Sequence, residues 1–343
     1  MRAPPSIRTD APTLRVSRIG LFASALILGA LVIFTVTHLR EAQRFTSLVE
    51  HAEPRWVIVA LALQFSTYVC AGGIWGAVVA SAGYRLRLLQ LARLSIEKLS
   101  IDQIMPSGGL SGNVVVAAAM HRLGLPAAIA TEALLIDILG YYTAYALVTA
   151  MAFLSLWIHH QVTPFILTLV LAFSAFLMTI PAAVWWLIRH RDWKPGPRLG
   201  RLRGLQLVLE AMEGISPDRI RRPRLLALAA SLSLSIFVLD AGTLWALLLA
   251  TGTHVHVLTA FVGLVVGSLA GTISFLPGGL GSFEAGCTAT LTLLGIPIEA
   301  ALTGTLLLRG LTLWLPLIPG IVLARRDLAQ RPSLTGDETK ILR

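Results

Sequence analysis

Charged side chains are scarce in this sequence of 343 residues. Only 13% of the residues are charged, whereas 55% are hydrophobic, and the mean hydropathy is +0.75. Soluble globular domains carry about twice that share of charge, so the composition argues against that class and predicts a polytopic membrane protein. In a soluble protein the net charge of +10 would suggest a nucleic-acid partner. Here the basic residues cluster in loops and tails, where they orient the chain and contact anionic lipid heads, so we expect no nucleic-acid partner.

Side chains that build metal sites and nucleophilic centres are also few. The two cysteines, Cys70 and Cys287, fall inside apolar segments, which favours packing over a disulfide. The histidines are scattered, and His254 with His256 is an isolated pair in a loop. The glycine-rich stretches follow neither the phosphate-loop nor the dinucleotide pattern. We therefore expect no metal, no cofactor and no enzymatic activity, which leaves transport or binding.

One proline and four glycines stand close together in residues 275–286, between two strongly apolar runs. Pro277 lacks an N–H, and the glycines Gly278, Gly279 and Gly281 admit positive φ, so no continuous helix should pass through this stretch. Irregular backbone inside a bilayer is tolerated only where it is buried in protein or lines a wet cavity. The stretch therefore predicts a re-entrant tip beside a site.

A weaker copy of this stretch occurs earlier in the chain. Aligning Pro106 with Pro277 without a gap also pairs several other identical residues. These pairs are Gly108 with Gly279, Ser111 with Ser282, Leu123 with Leu294, Gly124 with Gly295, Pro126 with Pro297 and Leu135 with Leu306. The matches predict an internal duplication.

The hydropathy pattern predicts an all-α membrane protein with about six transmembrane helices and two re-entrant helical hairpins. The predicted spans are 19–37, 56–80, 126–157, 164–188, 225–250 and 298–324, and the predicted hairpins are 88–122 and 257–294. The simpler alternative is that both hairpins are ordinary spans with proline kinks.

The distribution of basic residues sets the predicted orientation. Residues 189–224 are rich in arginine, so the positive-inside rule places this loop in the cytoplasm, with both termini on the same side. Repeat A, about 56–158, and repeat B, about 225–324, then run in opposite senses within a single membrane domain, 1–343. We expect a multi-pass protein of the cell (inner, cytoplasmic) membrane, built as an inverted repeat.

Ionisable groups within the predicted spans and hairpins are the candidate substrate-binding residues, because such groups are expensive in a bilayer. Arg309 could bind a phosphate or carboxylate, or could only form an ion pair with Glu284 or Glu132. Glu132, Asp137 and Asp240 could couple transport to protons or simply bond between helices. The remaining candidates are the tip residues Pro277, Gly278, Gly279, Gly281, Pro106, Gly108 and Gly109, together with Arg93, Glu97, Lys98 and Asp102, which form an inner vestibule or pair with one another.

The stretch Pro277 to Glu284, followed by Leu294-Gly295-Ile296-Pro297 and by Arg309, resembles the lysylphosphatidylglycerol synthase transmembrane region, or flippase-like domain family. The resemblance covers about residues 19–326. Two features depart from the family. First, the first hairpin lacks the family's usual Gly-Glu and arginine. Second, no soluble aminoacyl-transferase domain follows Arg343, and for that reason we expect no synthase activity.

The resemblance implies a lipid flippase that moves an anionic phospholipid or a polyprenyl-phosphate-linked conjugate between leaflets. Its partners would be these membrane lipids and, in some settings, a separate synthase or glycosyltransferase. Two alternatives remain open. The same arginine and glycine features suit an ion-coupled small-anion transporter or channel, and the chain could be a non-transporting membrane partner of a glycosyltransferase or synthase.

The predicted orientation can be tested by labelling single cysteines in intact cells. Because basic residues fill 189–224 but avoid 159–163, cysteines placed at His160 and Gly252 should react from outside. A cysteine at Gly204 should react only after the membrane is opened. Reaction of the Gly204 position in intact cells would reverse the orientation.

Overall fold

A computed structural model describes residues 53–104, 110–158, 164–190, 215–274 and 276–316. The chain divides into two units, Met1–Glu50 and His51–Arg343, and every described residue belongs to the second. The predicted first span, most of the basic loop, the first hairpin tip with Pro106, Gly108 and Gly109, and the segment after 316 lie outside the described residues.

The described part of the chain is helical throughout and contains no strand. This confirms the all-α class. In chain order the helices are α1 Pro54–Ser81, α2 Leu88–Ile104, α3 Leu110–Arg122, α4 Ala127–Ile158, α5 Pro164–Arg189, α6 Pro217–Ile220, α7 Pro223–Ala250, α8 Val257–Ile273, α9 Ser282–Leu293 and α10 Ile298–Arg309. A 3₁₀ turn, Pro277–Gly279, lies between α8 and α9, and a π-helical turn, Gly310–Trp314, continues α10.

Among the described helices, α1, α4 and α7 are long and apolar enough to cross a membrane. They contain 28, 32 and 28 residues, which exceeds the roughly 20 that a bilayer core requires. Helix α8 is strongly apolar but has only 17 residues. A membrane-embedded chain follows from these lengths and compositions, while six spans and two re-entrant hairpins remain a prediction.

The two stretches that the sequence pairs have matching elements. Helices α1, α2 and α3 contain 28, 17 and 13 residues, and their counterparts α7, α8 and α9 contain 28, 17 and 12. Both third helices are followed, two residues beyond their end, by a glycine of positive φ, Gly124 at 83° and Gly295 at 92°. At both ends the third residue beyond the helix bonds back to its last turn, Leu125 N–H to the Met120 carbonyl and Ile296 N–H to the Leu291 carbonyl. The duplication itself remains a prediction.

Each pair of short helices folds back on itself. A Cβ added at Gly263 would lie 2.8 Å from Leu291, and one added at Gly267 would lie 2.8 Å from Cys287, so α8 and α9 run antiparallel. In the first pair the Gly112 N–H donates to the Asp102 carboxylate at 2.8 Å across the break between α2 and α3. Both pairs are therefore helical hairpins, and their re-entry into the membrane from one side remains a prediction.

The two long helices that open the repeats pack against each other in opposite directions. The Glu53 N–H at the start of α1 donates to the Ala250 carbonyl at the end of α7 at 2.9 Å. Nearby, the rings of Trp56 and Trp245 meet edge to face, 5.4 Å apart. Since lipid offers no hydrophobic driving force between helices, such close side-chain packing holds the pair together.

Candidate functional site

The second glycine-rich break forms a tight tip between α8 and α9. Gly278, Gly279 and Gly281 have φ of 60°, 64° and 82°, in the left-handed region that favours glycine. A Cβ added at Gly279 would lie 2.8 Å from the Cα of Gly271 on α8. The tip thus needs glycine at Gly279 for two reasons, the backbone conformation and the close approach of the two arms.

Gly279→Ala and Gly295→Ala separate these two reasons. Both glycines have positive φ, but a Cβ at Gly295 meets no atom within 4 Å. Gly295→Ala should lower the unfolding free energy by about 1–2 kcal/mol through left-handed strain alone. Gly279→Ala should cost more, because the methyl group also collides with backbone that cannot rotate away. Equal thermal destabilisation of the two purified variants would contradict the close-approach argument.

Arg309 lies beside this tip. It is the last residue of α10, directly before the π-helical turn. Its Nε donates to Glu284 Oε1 at 2.6 Å, and its Nη2 donates to the Gly278 carbonyl. The guanidinium carbon lies 4.8 Å from the centre of the Phe283 ring, a cation–π arrangement. Only 11% of the Arg309 side chain is exposed. The structure thus brings together Arg309, Glu284 and the tip, and it selects Glu284 over Glu132 as the ion-pair partner.

Glu284 connects the arginine to the start of the returning helix. Its Oε2 accepts the Gly281 N–H at 2.6 Å, which is one half of a capping box. The other half is missing because the N-cap residue is Gly281, which has no side chain to accept a first-turn N–H. The first turn of α9 therefore presents backbone N–H groups next to the guanidinium, the arrangement that favours an anion.

The charges on the first hairpin pair with one another along α2. Arg93 Nε lies 2.8 Å from Glu97 Oε1, and Lys98 Nζ lies 3.0 Å from Asp102 Oδ2. Asp102 also accepts the Gly112 N–H. This corresponds to the pairing alternative, although the side chains of Arg93 and Lys98 keep 47% and 24% of their surface exposed, so a wet vestibule remains compatible with it.

The two hairpins meet each other. The Pro277–Gly279 turn and the π-helical turn after Arg309 both contact α2, the first arm of the first hairpin. The Ser100 hydroxyl on α2 donates to the Pro316 carbonyl at 2.6 Å. The arginine site of the second repeat is therefore built against the first repeat.

Three predicted site residues lie elsewhere, each with its own neighbour. Glu132 accepts hydrogen bonds from Arg219 and from the Ser216 N–H, the latter at 2.7 Å. Asp137 accepts the Trp75 indole N–H at 3.1 Å. Asp240 lies near the Gln64 side chain. Their assignment to a substrate site therefore remains a prediction.

Several of these partners were missed by the sequence analysis. Arg219 is one of many arginines in a basic stretch, so nothing local distinguished it from charges that only orient the chain. Trp75 and Gln64 lie on an apolar helix, far from their partners in sequence. Among the described residues, no group of three His, Cys, Asp or Glu side chains could hold a metal ion.

Comparison with known proteins matches residues 21–320 to the lysylphosphatidylglycerol synthase TM region. This range includes both hairpins and Arg309. The UPF0104 membrane protein MJ1595 of Methanocaldococcus jannaschii is 21% identical over 313 residues, which cover 87% of this chain and 92% of that protein. The family match spans well over half of the sequence, so the chain belongs to the lysylphosphatidylglycerol synthase TM region family.

Proposed function

We propose that this protein moves an anionic lipid, a phospholipid or a polyprenyl-phosphate-linked conjugate, between the leaflets of the cell membrane. The observation that carries the proposal is the Arg309 guanidinium held at a broken helical hairpin. The proposal gives the chain no catalytic role, and it places both termini in the cytoplasm. A separate synthase or glycosyltransferase would supply or consume the lipid.

The contacts of Arg309 favour an anion at this position. Glu284 and the Gly278 carbonyl hold Nε and Nη2, and no described residue accepts a hydrogen bond from Nη1. A phosphate oxygen at Nη1 would also lie near the N-terminus of α9, whose dipole favours negative charge. Glu284 fixes the direction of the guanidinium. Because the Arg309–Glu284 pair carries no net charge, the positive potential that attracts an anion comes from the N-terminus of α9.

The surroundings of the site suit a moving lipid. The tip and the π-helical turn both touch α2 of the first repeat, so a shift between the two repeats would change the shape of the site. Broken helices that meet between repeats hold the substrate in many secondary transporters. Single π-helical turns also occur frequently at functional sites.

Lipid translocation in reconstituted vesicles tests the proposal. Vesicles of phosphatidylcholine and phosphatidylglycerol would carry a trace of head-group-labelled phosphatidylglycerol, and a membrane-impermeant reductant would bleach the outer leaflet. In vesicles that contain the protein, bleaching should continue into the inner-leaflet pool, while protein-free vesicles should stop at about the outer half.

Labelled phosphatidylcholine in otherwise identical vesicles is the control for charge selectivity. Slow translocation of that zwitterionic probe is expected. If every labelled lipid in the inner leaflet stays protected from the reductant while a small anion such as chloride crosses the membrane, lipid transport is contradicted and an anion channel is favoured.

A further inference from the structure

Gln64 and Asp240 lie at the same depth between the two antiparallel helices that open the repeats. Counted from the Glu53–Ala250 hydrogen bond, Gln64 lies about 16 Å along α1 and Asp240 about 15 Å back along α7 at the usual helical rise. The neighbouring pair confirms this register, since a Cβ at Gly242 would lie 3.2 Å from the Leu63 side chain. Both residues therefore lie well inside a hydrocarbon core of about 30 Å.

Buried polar atoms without partners surround this position. Gln64 and Tyr68 are each only 3% exposed. The Gln64 side chain lies near both Tyr68 and Asp240, and its Nε2 donates to Thr67 at 3.2 Å. Gln64 Oε1, Tyr68 OH and Asp240 Oδ1 are buried and find no hydrogen-bond partner among the described residues. Leaving such groups unsatisfied costs about 1–3 kcal/mol each, so a hydrogen shared between two of these acceptors would be favourable.

The described helices that pack against α7 bring no basic side chain to Asp240. The titratable groups that lie close enough to interact electrostatically with Asp240 are Tyr68 on α1 and Tyr141 on α4. Helix α8 has no titratable residue, the arginine of α10 pairs with Glu284, and Arg219 of α6 pairs with Glu132. On α7 itself the nearest basic residue, Arg224, lies about 24 Å away along the helix.

We propose that Asp240 is a proton-binding site, at which the carboxylate takes up a proton from water and hydrogen-bonds through it to Gln64. An isolated carboxylate inside a bilayer is expensive, and a single proton removes its charge. A metal cation would need more oxygen ligands than this site offers, since Ca²⁺ and Mg²⁺ take six or more. Uptake on one side of the membrane and release on the other would couple lipid movement to a proton gradient, a step that rests on the proposed function.

Infrared spectroscopy of the purified protein tests proton binding without any transport. A carbonyl band of a protonated carboxylic acid should vanish in Asp240→Asn and persist in the control Glu53→Gln, whose side chain is 46% exposed. Gln64→Met should shift the band, because the acid loses its hydrogen-bond acceptor, and this variant keeps the test valid if Asp240→Asn folds poorly. An unchanged band in both Asp240→Asn and Gln64→Met would overturn the assignment.

Transport across a pH gradient then tests coupling. With one proton per lipid, a gradient of one pH unit should drive about tenfold accumulation of labelled phosphatidylglycerol in one leaflet. Asp240→Asn should lose the accumulation and Glu53→Gln should keep it. Translocation without accumulation in the unmodified protein would refute coupling but leave lipid transport intact. No translocation at all, together with the Asp240 infrared band, would refute lipid transport but leave the proton site intact.

Discussion

Arg309→Lys should reduce lipid translocation at least about tenfold while the protein still inserts and folds. The guanidinium holds Glu284 and the Gly278 carbonyl at once and stacks over Phe283. A lysine ammonium is a point charge without this planar fork, so it cannot satisfy both acceptors and also bind a phosphate. Loss of one hydrogen bond to a charged group is worth about 1.5–3 kcal/mol, and each 1.4 kcal/mol corresponds to about tenfold.

Two comparisons decide whether Arg309 binds the head group or only its neighbour. Arg55→Lys is the matched control, because Arg55 forms an exposed pair with Glu53 and should tolerate the change. Arg309→Gln combined with Glu284→Gln removes the ion pair without leaving a lone charge. Translocation should stay low in this double variant at matched insertion, and recovery to the unmodified rate would show that the two residues serve only each other.

Arg219→Ala should destabilise the protein by about 3–5 kcal/mol, the usual cost of leaving one member of a buried ion pair alone. Glu132 is only 1% exposed and accepts hydrogen bonds from both Arg219 and the Ser216 backbone. Without the arginine, α4 would keep a buried carboxylate with no cation. Thermal unfolding in detergent measures the loss. The control is Arg55→Ala, whose exposed pair should cost less than about 1 kcal/mol.

A double variant separates an unpaired charge from a loss of packing. Replacing both Glu132 and Arg219 by leucine removes both charges and should recover much of the stability, because apolar residues of similar volume often replace buried pairs without loss. A double variant that is less stable than Arg219→Ala alone would contradict this explanation. So would an Arg219→Ala protein as stable as Arg55→Ala.

The parts of the structure that the sequence predicted depend on local chemistry. The break at Pro277 follows from a missing N–H and from glycines that tolerate positive φ. The long helices follow from uninterrupted apolar runs. Glu284 was one of two predicted ion-pair partners of Arg309. It lies close to Arg309 because the short connection between α9 and α10 limits how far the two helices can separate.

The parts that the sequence did not predict depend on how distant helices pair. The register that sets Gln64 beside Asp240 comes from close packing of two long helices whose many small and apolar residues allow several alignments. The contact between Arg219 and Glu132 joins a basic stretch to a helix more than eighty positions earlier. The π-helical turn after Arg309 also has no local signal, since Gly310–Trp314 continues the apolar pattern of a regular helix.

Native mass spectrometry of the gently purified protein tests the central claim most directly, because it detects a lipid held at Arg309 without requiring transport. The unmodified protein and Arg55→Gln should both retain a phosphate-bearing anionic lipid, and Arg309→Gln should retain markedly less at equal protein folding. Equal retention of that lipid by Arg309→Gln and the unmodified protein would contradict the assignment of Arg309 to the lipid head group.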